Sequence, residues 1–578
     1  FKMNFPELKF TDAKIVLEKQ DADHNNWTFP ALSKGNVVNK AVVPQSRHSF
    51  PVIGLLTLAN SDLIYKDATK KLDLDLALNT AIGAAEGNDK HADQGISVKG
   101  HGTLQDKTFT IDAAGGSVAM LRDTKQPFPL KLHLQMGNTV INVDGTFQDP
   151  VQLAGVDTQL SIRGDNLADL YYLTSIPLPP TPVYSIDGRL KKHGDKWFYD
   201  GFKGKIGKSD LAGNLEYDAS GKRGFVTMNL VSDTLDMNDM AGFIGAPPST
   251  KHGAEVSEEE KQEAAKKAAS GKLLPDVPIK LNRLRATDMD VTFNAKKIFA
   301  PGYPLDRLQA HLVLKDGLLT VDPLDVGVAS GDVTGKLVLD GREDTSRVGT
   351  DVILKQLSFH DFFKDSRFAQ LSAGHFGGHI DLSGQGNSLA DVLSDANGRL
   401  TLIMSGGRVS LLIVKAAGLD IANAAPLFLG KDQSTDIRCG VGDFKVTDGH
   451  FDSQILDFDT DDSNIQGNID ANLKTESLSG HIESHPKSLS LLEPLTAITL
   501  GGTLDHPSVG VDPLEAGARG GIAVALTAVL GPLGAIIPFI NLGLGKNSDC
   551  NALIHDAEVH HEPQPDTRAD PNNTPAHL

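Results

Sequence analysis

The stretch KLDLDLALN, residues 71–79, places leucine at 72, 74, 76 and 78, with Asp73, Asp75 and Ala77 between them. A period of two is that of an extended strand, whose successive side chains point to opposite faces. One face of this strand is therefore dry and the other wet, and the fold must provide a cover for Leu72, Leu74, Leu76 and Leu78. The same period returns along the chain. Leu130, Leu132, Leu134 and Met136 alternate in one run, and Ile141, Val143 and Phe147 follow. Val226, Met228 and Leu230 alternate in another, as do Leu308, Ala310, Leu312 and Leu314. Val333, Leu337 and Leu339 come next, then Ile465, Ile469, Ala471 and Leu473, set among Gln466, Asn468, Asp470 and Asn472.

Turn signals such as KDG, VDG, TDG, ASG and GREDT separate these runs, as antiparallel meanders require. Phrases that open on glycine and continue as a strand recur loosely: GTLQDKTFTI, GTFQDP, GNLEYD, GKLVLD, GNIDANL and GTLDHP. They read as a degenerate strand-plus-turn unit without a fixed period. At about a dozen residues per strand and turn, roughly 30 to 40 strands fit the chain. Helical signals are few. NLADLYYL (166–173), SLADVLSD (388–395) and LLIVKAAGLDIANAAPLFL (411–429) predict short helices. SEEEKQEAAKKAASGK (257–272) has an N-cap serine but no apolar stripe, so it predicts a solvated linker. So many strands and so few helices leave two solutions, a sheet closed on a second sheet or one long curled sheet whose apolar face lines a groove.

A net charge of −19 with no dense Lys/Arg cluster excludes a nucleic-acid partner. Two cysteines in 578 residues exclude a disulfide framework and a Cys-rich metal site, and leave room for one bridge. No catalytic constellation is legible. GKIGKS (204–209) lacks the glycine that a phosphate loop needs at 202, where Phe202 stands, and the strand-like DLAGNLEYD follows it, so it predicts a turn between strands. The Gly384-x-Gly386 pair is better explained by an N-cap at Asn387 or Ser388. FDTDDS (458–463) lacks the spacing of a calcium loop. His555, His560 and His561 lie in or near a polar tail. LTSIPLPPTPVY (173–184) predicts a stiff crossover between strands. GIAVALTAVLGPLGAIIPFINLGLG (521–545) is uncharged and long enough to span a bilayer, but Pro532 and Pro538 predict broken helices.

Several phrases together resemble the AsmA family of bacterial envelope proteins: RGDNLADLYYLTSIPLPPTPVYSIDGRL, GKIGKSDLAGNL, LDMNDMAGFIG, GQGNSLADVLSDANGRL, IRCGVGDFKVTDG, HPKSLSLL, GTLDHPSVGVDP and the apolar run ending in DCNALI. The resemblance implies a mainly β chain built as a long, curled, largely antiparallel sheet forming an apolar groove, with a few short helices and a C-terminal apolar helical segment. It implies an inner-membrane protein of Gram-negative bacteria with its bulk in the periplasm, whose N-terminal anchor and first strands precede Phe1. The implied partners are phospholipids, moved between the two membranes, the inner membrane itself, and other envelope proteins. No cofactor and no enzymatic activity are expected.

The expected organisation is a first groove region over 1–245, a charged linker over 246–275, a second groove region over 276–515, an apolar helical cap over 516–555 and a disordered tail over 556–578. The expected lining comprises Leu72, Leu74, Leu76, Leu78, Leu130, Leu132 and Leu134 in the first part of the chain. Val226, Met228, Leu230, Leu312, Leu337, Leu339, Ile465, Ile469 and Leu473 continue it. An oxidising compartment further predicts a Cys439–Cys550 disulfide. The rival reading is a non-enzymatic scaffold that binds envelope proteins through exposed sheet edges.

Overall fold

The structure is a computed structural model that describes residues 4–21, 24–33, 36–41, 52–81, 95–117, 120, 126–244, 262, 265, 272–300, 302–362, 364, 371–411, 414, 432–488, 490–491, 497–511, 540–541 and 544–559. Among these it contains 33 strands and only short helices, so the chain is mainly β. The chain divides into two units. One comprises residues 1–267, 280–299 and 310–319, the other 268–279, 300–309 and 320–578. Most of the linker expected over 257–272, most of the helix expected over 411–429 and most of the apolar run 521–545 lie outside the described residues, as does the tail beyond 559. Among the described residues no helix is long and apolar enough to cross a membrane.

In the first unit the main sheet is a meander in which each strand pairs with the next in sequence. From Ser61–Asp67 it proceeds through Leu72–Ala81, Gly95–Leu104, Lys107–Ser117, Phe128–Met136, Thr139–Asp149 and Ala154–Gly164. It continues through Tyr184–His193, Lys196–Ile206, Ser209–Asp218 and Gly224–Ser232. All of these pairings are antiparallel. Two steps are parallel: Lys14–Lys19 on Ser61–Asp67, and Gly224–Ser232 on Thr287–Ala295. In the second unit the antiparallel run is Gly331–Asp340, Arg347–Ser358, His375–Gln385, Asn397–Ser410, Ser434–Thr447, His450–Thr460, Ser463–Asn472, Ser477–Pro486, Ala497–Gly502 and Pro507–Val511. Within each unit the pairing is mostly antiparallel.

Register follows from the alternation. Leu72, Leu74, Leu76 and Leu78 face Leu104, Gly102, Gly100 and Val98 on the next strand. Ile111 and Ala113 then face Leu134 and Leu132, which in turn face Ile141 and Val143. A one-residue slip at any step would put this whole row into water, so the pattern enforces its own register. The opposite face carries cross-strand ion pairs: Lys99–Asp112 at 3.0 Å, Lys131–Asp144 at 3.3 Å, Arg189–Asp157 at 2.6 Å and Lys196–Glu216 at 2.7 Å. All are substantially exposed, so each contributes at most about 1 kcal/mol and serves register more than stability.

The recurring glycine phrases have a structural cause. Gly102, Gly145, Gly213, Gly335 and Gly467 each open one phrase, and each sits in mid-strand on the apolar face, opposite Leu74, Leu130, Leu230, Val352 and Ile482. A Cβ at Gly102 would lie 2.3 Å from the carbonyl oxygen of Asp73, and one at Gly335 would lie 2.1 Å from that of Asp351. The other three meet a neighbouring backbone oxygen in the same way, at 2.1 to 2.4 Å. Only a residue without a side chain lets adjacent strands approach this closely on the apolar side.

Candidate functional site

The first stretch of apolar face runs from Ser61–Asp67 to Thr139–Asp149. Its strand ends carry large buried side chains in pairs, Phe128 with Phe147 and Phe109 with Met136, all no more than 8% exposed. Between those ends Leu72, Leu74, Leu78, Leu130, Leu132 and Leu134 are half-buried, and Leu76 is at the edge of full burial. Asp73, Asp75, Lys131 and His133 point to the other side and are exposed. The centre of this face is a strip of aliphatic side chains in partial contact with solvent. It offers no charge and can recognise only apolar groups.

From Ala154–Gly164 onward the apolar face is different, because residues 165–183 fold back over it. Asn166 caps a short 3-10 helix, Leu167–Leu170, by accepting from Ala168 N, and the α-turn Tyr171–Thr174 follows. The helix expected over 166–173 is thus present as these two short pieces. Leu167 and Leu170 pack with Leu160, Tyr184, Ile186, Tyr199, Phe202 and Ile206. Ile176 packs with Val226, Met228 and Val291, and Leu178, Leu230 and Leu312 lie against that group. Val226 is fully buried and Met228 nearly so. The cover at Val226 and Met228 is the chain itself, so these two are not open lining. The proline-containing stretch 173–184, expected as a plain crossover, supplies that cover. Burial pushes the Tyr199 hydroxyl well above its ordinary range, and it donates to the carbonyl oxygen of Leu160 at 3.1 Å.

GKIGKS is the hairpin turn between Lys196–Ile206 and Ser209–Asp218, as expected. The sequence did not show what holds it. Asp239, from LDMNDMAGFIG, accepts from Lys208 N and Ser209 N at 2.9 Å each and from Ser209 Oγ at 2.7 Å. Burial raises the Asp239 pKa above the ordinary carboxylate value, and the neighbouring Asp236 adds to the rise.

In the second unit Leu337 and Leu339 are half-buried and face Thr350 and Val348. Ile465 lies against a buried cluster of Met404, Val409, Val414 and Ile437. Ile469 is half-buried opposite Gly480. Leu473 departs from the expected pattern: it falls just past the end of its strand, in a turn, where its amide donates to the Gly449 carbonyl oxygen at 2.9 Å. The helix Leu389–Ser394 is capped by Ser388, which accepts from Asp391 N.

Cys439 and Cys550 are joined, with Cα atoms 5.8 Å apart. Cys439 pairs with Asp459 and so lies on the polar face of the sheet, and the helix Cys550–Val559 is tethered there. Asp459 of FDTDDS and Asp457 just before it supply the remaining ties. The fully buried Asp459 accepts from Arg438 Nε at 2.9 Å, Lys487 Nζ at 2.5 Å and Ser548 N at 3.1 Å. Asp457 accepts from Gln466 Nε2 at 2.6 Å and Ser548 Oγ at 2.8 Å. These acidic residues fasten a C-terminal loop. Among the described residues no group of three or more His, Cys, Asp or Glu side chains is placed to hold a metal ion.

A family model described as the AsmA family matches residues 4–456. The chain is 28% identical over 566 residues to the AsmA family protein YhjG of Escherichia coli (strain K12), an alignment that covers 93% of this chain and 82% of that protein. No solved structure matches.

Proposed function

Because the chain belongs to the AsmA family, a family of envelope proteins, we propose that it shields phospholipid acyl chains on its apolar sheet face. In this reading it works in the periplasm, anchored to the inner membrane, and serves lipid transport between the two membranes and upkeep of the outer one. The observation that carries the reading is the half-buried aliphatic strip from Leu72 to Val143, backed by an opposite face that carries Asp73, Asp75, Lys99, Asp112, Lys131 and Asp144. Moving an acyl chain from bilayer to water costs about 0.8 kcal/mol per CH₂, or about 10 kcal/mol for one long chain. A strip of leucine and valine removes most of that cost without headgroup chemistry. The proposed action makes and breaks no covalent bond. A passive strip equilibrates lipid and sets no direction.

Mass spectrometry of lipids extracted from purified protein tests this, with Leu74→Asp and Leu134→Asp as the perturbation. The expected result is phospholipid on the parent protein and its loss from both folded variants. Wild-type lipid content in both would refute the assignment. A scaffold role through sheet edges is the second reading. It is favoured by Lys14–Lys19, whose Ile15 and Val16 side chains are 43% and 41% exposed, although Asn26 hydrogen-bonds the backbone of Val16 and Glu18 on the side away from Ser61–Asp67. It predicts envelope proteins surviving purification and no bound lipid.

A further inference from the structure

We infer that residues 165–183 are a built-in stop that ends the acyl-chain site of the first unit. Lipid then occupies the strands from Ser61–Asp67 to Thr139–Asp149 and not those from Ala154–Gly164 onward. The inference rests on the lipid-shielding reading above. Gly164 and Tyr184 are direct cross-strand partners, so a short hairpin turn would join them. The chain instead sends a long segment across the sheet, and its route is informative.

The sheet has two rims formed by strand ends. Gly164, Tyr184, Ile206, Ser209 and Ser232 belong to one rim, and Gly224 and Thr287 belong to the other. The segment leaves the first rim at Gly164 and lays Leu167 and Leu170 on the apolar face. It reaches the far rim, where Thr287 Oγ1 donates to the Ser175 carbonyl oxygen at 3.0 Å. It then comes back. The outgoing and returning legs are pinned together, since Leu167 N donates to Thr181 Oγ1 at 3.1 Å and Thr181 N donates to Asn166 Oδ1 at 3.2 Å. The returning leg is wedged against the 3-10 helix Met237–Ile244, so tightly that a Cβ at Gly242 would lie 2.0 Å from the Pro180 carbonyl oxygen. The segment bars the face from rim to rim. An aliphatic chain lying along the strip from Leu132 toward Met228 meets Leu170, Ile176 and Leu178 in the space it would need.

Photo-crosslinking tests the stop, with benzoyl-phenylalanine placed at Leu132 or at Met289 and the whole chain expressed in its envelope. Met289 is half-buried and packs against the group of Ile176, Val226, Met228 and Val291. The expected result is a phospholipid adduct at position 132. At 289 the expected product joins the reporter to the 165–183 segment, with lipid adduct lower by a factor on the order of 100, as displacing one large buried apolar side chain entails. Lipid adducts of similar yield at both positions would overturn the stop. Loss of lipid adduct at both, with the intrachain product retained, would refute the lipid-shielding reading and the stop with it. Leu215, which packs against both buried groups, carries the same test if the Met289 variant does not accumulate.

Discussion

Gly335 and Gly349 lie on neighbouring strands of the second unit and face opposite sides of the same sheet, opposite Val352 and Val338. Replacing each with alanine is predicted to change stability in opposite directions. At Gly335 the new Cβ would stand 2.1 Å from the Asp351 carbonyl oxygen and 2.7 Å from the Val352 Cα, both backbone atoms. Ordinary contact needs more than about 3.4 Å, so the strands must separate by about an ångström, and overpacking on that scale costs about 1–3 kcal/mol. At Gly349 a Cβ meets nothing within 4 Å, so alanine there gains about 0.4–1 kcal/mol by restricting the unfolded chain. With a urea m-value of about 2.5 kcal/mol/M, a cost of about 2 kcal/mol lowers the midpoint by about 0.8 M. The gain at Gly349 raises it by about 0.2–0.4 M by the same conversion. Circular dichroism follows the transition. A Gly335→Ala midpoint equal to or above the parent's would refute the close-approach account of the repeated glycines.

Two further outcomes follow from side chains described above. Reducing the Cys439–Cys550 bridge, which closes a separation of 111 residues, is predicted to destabilise the second unit by up to about 5 kcal/mol on chain-entropy grounds; unfolding with and without reductant, read by circular dichroism, checks it, and an unmoved midpoint contradicts it. Asp239→Ala strands three donors at the Lys208–Ser209 turn and should cost about 1–3 kcal/mol, whereas Asp239→Asn keeps an acceptor and should cost less. Because the folded pKa of Asp239 is raised, its ionisation opposes folding. Wild-type stability relative to Asp239→Asn should therefore rise as pH falls through the folded pKa and level off below the unfolded value near 3.8. The opposite slope would show that hydrogen bonds outweigh burial at this carboxylate.

The parts of this fold readable in the sequence are those set by a two-residue period. Leu72 to Leu78 could be assigned to one face because a strand has only two, and the same holds at Leu130 to Leu134. Turn residues marked the hairpins, and Ser388 marked a helix start, since capping is local chemistry. The cover over Val226 and Met228 was not readable. Ile176 reaches them across several intervening strands, and no local pattern encodes such a contact. Asp239 and Asp459 were equally hidden. An aspartate that accepts from a distant turn or from an arginine on a neighbouring strand has the same sequence signature as a solvated one. The glycine phrases were visible as a repeat, but their cause lies in a carbonyl oxygen on the adjoining strand. Leu473 shows the limit of periodicity, which extends one residue too far because it does not register where pairing stops.

The meander has a consequence for how such a chain is assembled. Almost every strand of the main sheet in the first unit finds its partner in the strand just before it. Its contacts are thus local in sequence despite the size of the sheet, and loop-closure entropy is paid in small instalments. A polypeptide emerging N-terminus first can add each hairpin to a finished edge without waiting for its C-terminus. Each strand so added is paired soon after it emerges, which shortens the time in which strands are open to aggregation. The same arithmetic makes length an easily varied property: a whole hairpin added or lost within the run leaves every other pairing, and every other face assignment, unchanged.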